Sequence, residues 1–174
     1  EYRLKVFGHK TLLHSLIIGC ICSFFINVDA SNWNQWRGKL TDGSHKGLPW
    51  PNSIDEKTLN KSWSSEKLGA SYSGPITDGE LIFTTESTEG KESVLAYSLE
   101  DGSLKWKQTW AGEMKVPFFA ARNGSWIRST PAVANGKVFV GGMRDHLLCL
   151  DSQTGELIWE IDFPKKYGTP IPDF

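Results

Sequence analysis

A stretch of eleven residues occurs twice in this chain, and that duplication limits its possible folds more than any bulk property does. Cys149-Leu150-Asp151-Ser152-Gln153-Thr154-Gly155-Glu156-Leu157-Ile158-Trp159 is echoed by Ala96-Tyr97-Ser98-Leu99-Glu100-Asp101-Gly102-Ser103-Leu104-Lys105-Trp106. In each copy a small residue begins a strand, a glycine follows six positions later, and a tryptophan comes four after that. A recurring unit is the mark of an array, in which each copy buries its apolar face against the next.

The echo extends upstream, where residues 73–83 align with residues 130–140. Asp78-Gly79 and Asn135-Gly136 sit between apolar alternations, and such pairs predict tight type I′ hairpins because both central residues need positive φ. The second strand is expected to end near Thr85 in one copy and Gly142 in the other. The third is expected over 94–98 and 146–151, and a fourth carries the tryptophan. Four antiparallel strands joined by short turns describe a propeller blade, so the fold class read from the sequence is all-β, a β-propeller.

Gly79 and Gly136 lie 57 residues apart, Gly102 and Gly155 only 53. About four residues are therefore inserted in the first hairpin, and the polar run 85–93 is expected to hold them as a solvated loop tip. Thr169-Pro170-Ile171-Pro172 resembles Thr130-Pro131-Ala132-Val133 and reads as a third copy beginning. Trp63, after Leu59-Asn60-Lys61-Ser62, reads as a fourth strand whose blade partners lie elsewhere, a strand that closes the ring. The expected organisation is a signal peptide over 1–30 and an N-terminal segment over 31–72. Blade 1 then covers 73–108, an aromatic inter-blade loop 109–128, blade 2 129–162, and the start of a truncated blade 3 163–174. About two blades are fewer than the units an array needs, so residues 31–174 alone are not expected to form a stable monomer.

The repeated unit, small-x-Asp-x-x-Thr-Gly-x-x-x-Trp, resembles the tryptophan-docking motif of PQQ-like (quinoprotein-type) β-propeller repeats. Cys149, Asp151, Thr154, Gly155 and Trp159 carry the closer match. Ala96, Gly102 and Trp106 carry a looser one, with Ser98 in the aspartate place and Asp101 in the threonine place. Asn32-Trp33-Asn34-Gln35-Trp36-Arg37-Gly38, followed by Asp42-Gly43, is similar to the opening of secreted bacterial members. The resemblance spans roughly 32–174 and speaks to fold, since one fold hosts many functions. Physically, each glycine permits a backbone that side chains resist, and Asp101 or Thr154 can bind turn amides. Each indole is expected to pack against a neighbouring blade where Ala96 or Cys149 leaves room.

The N-terminus predicts export. Arg3, Lys5, His9 and Lys10 precede an apolar run over 12–26, and Val28-Asp29-Ala30 offers a cleavage site. That run is short for a spanning helix. An alternative cut at Ile17-Ile18-Gly19-Cys20 would leave Cys20 as an acylated first residue, and membrane contact is expected only through such an anchor or the signal. Beyond Ala30 the chain carries 16 basic and 18 acidic side chains, so it has no basic field for nucleic acid. All eight tryptophans lie there, and of the three cysteines only Cys149, which reads as an inert core thiol.

Residues 107–129 are neither repeat nor signal. Their connection between blades opens onto the propeller face, and Trp110, Phe118, Phe119, Arg122, Trp126 and Arg128 make it the candidate recognition loop. Arg144-Asp145-His146 falls at a predicted hairpin and reads as a solvated turn, and His45 lies in a loop. Asn60-Lys61-Ser62 and Asn123-Gly124-Ser125 are formal glycosylation sequons. No H-E-x-x-H, G-x-S-x-G, Walker or dinucleotide glycine pattern occurs.

Two functions follow from the resemblance. One is a non-catalytic exported propeller that binds a protein, peptide or carbohydrate on its face. The other is a dehydrogenase that uses pyrroloquinoline quinone with Ca²⁺ to oxidise an alcohol or sugar. Alcohol-oxidising members of the second kind place a vicinal Cys-Cys disulfide against the quinone. Cys20, Cys22 and Cys149 are nowhere adjacent, so the residues present favour the binding reading.

Overall fold

A computed structural model describes residues 33–45, 51–112, 114 and 116–171. The export signal with Cys20 and Cys22, Asn32, and the last residues of the expected third copy lie outside them. Eight strands form two sheets of four. β1 (Ile76–Thr77), β2 (Leu81–Thr88), β3 (Lys91–Ser98) and β4 (Leu104–Ala111) pair in chain order, all antiparallel. β5 (Ala132–Ala134), β6 (Lys137–Gly141), β7 (His146–Asp151) and β8 (Leu157–Asp162) do the same. A short helix, α1 (Phe163–Tyr167), follows β8, with Asp162 capping its first turn.

The two meanders are copies down to their irregularities. Each has a register shift between its third and fourth strands one residue beyond the tryptophan pairing, at Ala96/Tyr97 and at Cys149/Leu150. Each pairs a phenylalanine of its second strand with its tryptophan, Phe83 with Trp106 and Phe139 with Trp159, centroids 5.9 and 6.1 Å apart. One apolar cluster runs through both sheets, from Phe83, Val94 and Trp106 to Val138, Val140, Leu148 and Leu150. The core therefore sits between the sheets as well as within them, and packs one onto the other.

The turns diverge from expectation in two places. Asn135 (φ 51°) and Gly136 (φ 70°) form the type I′ pair, but at Asp78-Gly79 only the glycine takes positive φ. There the Asp78 carboxylate accepts the amides of Glu80 and Leu81, and this side-chain turn replaces the tight hairpin. The second departure concerns the insertion. Only 88–91 form the solvated tip, because β2 and β3 run through the rest to a two-residue turn at Glu89 (φ 52°) and Gly90 (φ 74°), with Thr88 facing Lys91. Flanking that tip, Thr85, Glu86, Glu92 and Ser93 are buried. Thr85 meets the hydroxyls of Ser71 and Ser73, Ser93 meets Thr109, and Glu92 is 1% exposed.

Outside the sheets, Asn34 pairs with Val133 through both backbone and side chain, and this holds segment 33–45 on the free edge of β5. Residues 168–171 form no strand.

Candidate functional site

In the second copy the Asp151 carboxylate accepts the amides of Gln153 and Thr154 and the Thr154 hydroxyl, and these bonds hold it below its usual pKa. In the first copy Asp101 does the same for the Ser103 amide and hydroxyl and is held down to about 2. Both turns then place a glycine at positive φ, 71° for Gly102 and 73° for Gly155.

Those glycines are landing platforms. The Trp106 ring lies so close over Gly155 that an added Cβ would stand 2.6 Å from it, and the indole donates to the Ser152 carbonyl at 2.9 Å. Trp63 repeats the arrangement on Gly102, with 2.5 Å to the ring and 2.9 Å to the Leu99 carbonyl. In both cases the accepting carbonyl lies three residues before the glycine. Residues 61–69 form no strand, so Trp63 shares the docking role of Trp106 without the β-structure expected around it. Ala96 and Cys149 each face the tryptophan of their own blade across the sheet, and Gly102 and Gly155 are where the neighbouring rings lie. Trp159 remains 39% exposed, and no described glycine lies beneath it. Cys149 is a buried free thiol, pushed up in pKa by desolvation.

The candidate recognition residues separate into two groups. Trp126 stacks against Tyr72 with centroids 5.6 Å apart, and the Arg128 guanidinium lies 5.7 Å from the same ring. Ile127 is fully buried, and its amide donates to the Ser87 hydroxyl. These contacts fasten the loop to blade 1. A 3₁₀ turn over Phe118–Asn123 instead presents Phe118, 91% exposed, edge-on to Phe119, 71% exposed, with Arg122 also at the surface.

Trp110 belongs to β4 and to a buried cluster that the sequence reading missed. Its indole donates to Glu92 at 2.8 Å, and the amide of Met143, from the other blade, donates to the same carboxylate at 3.0 and 3.2 Å. Desolvation pushes the Glu92 pKa up, while the Met143 amide, the Trp110 indole and the charge of His146 pull it down. Gly142 leaves the space, since a Cβ there would stand 2.5 Å from the carboxylate. No sequence pattern marked Glu92, because it stands in a run of polar residues that reads as surface.

Above this cluster the two blades enclose a cavity of about 360 Å³, lined by Trp110, Ala111, Arg144, His146, Asp162 and Lys165. The expected solvated turn at Arg144-Asp145-His146 thus contributes a wall. Arg144 and Asp145 are exposed, but His146 is half-buried and lies 3.2 Å from Glu160. Among the described residues, no three His, Cys, Asp or Glu side chains converge as metal ligands.

Comparison with known proteins agrees with this geometry. The PQQ_2 family, described as outer membrane protein assembly factor BamB, matches residues 90–173. The chain is 24% identical over 163 residues to a 1-butanol dehydrogenase (cytochrome c) of Thauera butanivorans, covering 87% of this chain and 22% of that one. It is also 24% identical over 186 residues to the dehydrogenase subunit of an alcohol dehydrogenase (quinone) of Gluconacetobacter polyoxogenes, covering 90% and 24%. It therefore spans less than a quarter of the length of these curated relatives. Among solved structures, the quinohemoprotein alcohol dehydrogenase ADHIIG of Pseudomonas putida HK5 superposes with a TM-score of 0.53 at 21% identity, over 78% of this chain and 19% of that one. That likeness speaks to the fold.

Proposed function

From a chain built of PQQ-like β-propeller repeats, we propose an exported, non-catalytic binding or scaffold module that takes a protein, peptide or carbohydrate on the face formed by its inter-blade loops. The observation that carries this reading is the pair Phe118 and Phe119, held edge to face in solvent at the tip of a loop whose other aromatics are packed away. Exposed aromatic surface next to an arginine is the composition of a recognition patch. Export rests on the N-terminal sequence, with cleavage after Ala30 or acylation at Cys20.

The second reading, a quinone- and calcium-dependent alcohol dehydrogenase, is favoured by the names of the two curated relatives. The described residues do not fit such a site by themselves. Glu92, the buried carboxylate near the inter-blade loops, already accepts hydrogen bonds from Trp110 and Met143, and Cys149 lies in the core. The test is dye-linked alcohol oxidation by the full-length protein supplied with pyrroloquinoline quinone and Ca²⁺. No turnover is expected, together with photocrosslinking from position 118 to an envelope component. Sustained alcohol oxidation would overturn the proposal.

A further inference from the structure

The cavity between the blades has the chemistry of a ligand site. Both of its walls come from described residues, β4 on one side and the β6–β7 turn with the start of α1 on the other. Its volume of about 360 Å³ lies at the lower end of the ~300–1,000 Å³ typical of small-molecule sites. Trp110 commits its N–H to Glu92, so what the indole offers the cavity is carbon surface. The buried carboxylate fixes that ring, and its second partner, the Met143 amide, fixes the turn that bears Arg144. Among the described residues neither Arg144 nor Lys165 forms an ion pair. Asp162 accepts the Lys165 amide through one oxygen, while its other oxygen takes no hydrogen bond among them.

We propose that this cleft binds one saccharide unit whose ring bears a carboxylate, a uronic-acid residue, the rest of any oligomer lying outside the cleft. The apolar face of the sugar lies on Trp110, its carboxylate meets Arg144 and Lys165, and a hydroxyl donates to Asp162. Each feature removes an alternative. A phosphate group would bring its doubled charge against Asp162, and a neutral sugar would leave unmet the excess positive charge of Arg144 and Lys165 over Asp162. An acidic peptide would satisfy the cations but lacks the flat ring with hydroxyl donors that an indole beside a carboxylate suits. The assignment rests on the binding reading above and adds to it a site apart from the Phe118–Phe119 patch, since neither phenylalanine lines this cleft.

The experiment is calorimetric titration of the full-length protein with trigalacturonate, maltotriose, a short glutamate-containing peptide and inorganic phosphate in parallel. Trigalacturonate is expected to bind tightest. Arg144→Gln and Lys165→Gln, both at exposed positions, are each expected to weaken it about tenfold, as loss of a charged hydrogen bond does. Trp110→Phe keeps a ring but frees Glu92, and should weaken all saccharides alike. No heat with trigalacturonate, equal affinity for maltotriose, preference for the peptide or phosphate, or unchanged binding in both charge variants would each overturn the proposal. Dye-linked oxidation on the same preparation separates the two failures. Turnover sinks the binding reading, whereas silence in both assays sinks only the assignment of the cleft.

Discussion

One glycine and two glutamates show how much single residues decide in this chain. Gly155 combines positive φ with a tryptophan ring at contact distance, so Gly155→Ala meets backbone strain of ~1–2 kcal/mol and a steric clash at once. A loss of at least about 2 kcal/mol in denaturant unfolding of the full-length protein is expected, against a few tenths for a surface alanine elsewhere. Glu89 presents the opposite case. It is exposed and sits at φ 52° in a two-residue hairpin, a conformation asparagine tolerates better. Glu89→Asn is therefore expected to stabilise by ~0.5–1 kcal/mol, and an unchanged or lower midpoint would show that the turn is held by other means. Glu92 makes a statement about pH. A buried acid whose pKa is raised holds its proton more tightly folded than unfolded, so this group's contribution to stability falls as pH rises from 4.5 through its folded value. Asp101 and Asp151, with lowered values, act in the opposite sense. Their contribution is present above 3.8 and is lost as pH falls below it. Stability measured against pH should lose part of its decline above pH 4.5 in Glu92→Gln and part of its acid limb in the Asp101→Asn, Asp151→Asn pair.

At the scale of elements, the tie between blades is the tryptophan standing on the next glycine. Trp106 is buried, donates to Ser152 and belongs to the continuous core, so Trp106→Ala should cost about 3–5 kcal/mol, as large aromatic truncations do. Trp106→Phe keeps the ring but leaves the Ser152 carbonyl unpaired. It should cost about 1–3 kcal/mol by the same measurement, and an unchanged midpoint in Trp106→Phe would deny the hydrogen bond any share. The elements also mark where sequence reading reached its limit. The spacing of Asn135-Gly136, Gly102, Gly155 and the two tryptophans was enough to place the β-strands of both meanders, because turn geometry and aromatic size are local properties. The extended hairpin around Glu89 was not legible, since Thr85, Glu86, Glu92 and Ser93 are polar and their burial depends on partners that lie far along the chain, such as Ser71 and Met143. Trp63 was legible only as the tryptophan of a fourth strand; neither its docking on Gly102 nor its place outside any strand was.

For the whole molecule, the consequence is directional growth. Blade 1 is covered on one side by Trp63 and on the other by blade 2, whereas β8 leaves Leu157, Ile158 and Trp159 between 39% and 47% exposed. An apolar face of this kind favours association. Residues 31–174 expressed alone are accordingly expected to self-associate at micromolar concentration. A monodisperse monomer by size-exclusion chromatography, with one cooperative unfolding transition, would contradict that expectation. What the sequence determined by itself was the repeating unit: its spacing, its all-β character and its family resemblance, all written in short-range patterns of glycine, aspartate and tryptophan. Only the tertiary structure could show that Trp63 and Trp106 land on glycines, or that Glu92 lies buried under Trp110. It also resolved six loop residues into packed and presented groups. Those outcomes depend on which residues meet across about forty to fifty positions of chain, and chemical type at one position does not encode its distant neighbour.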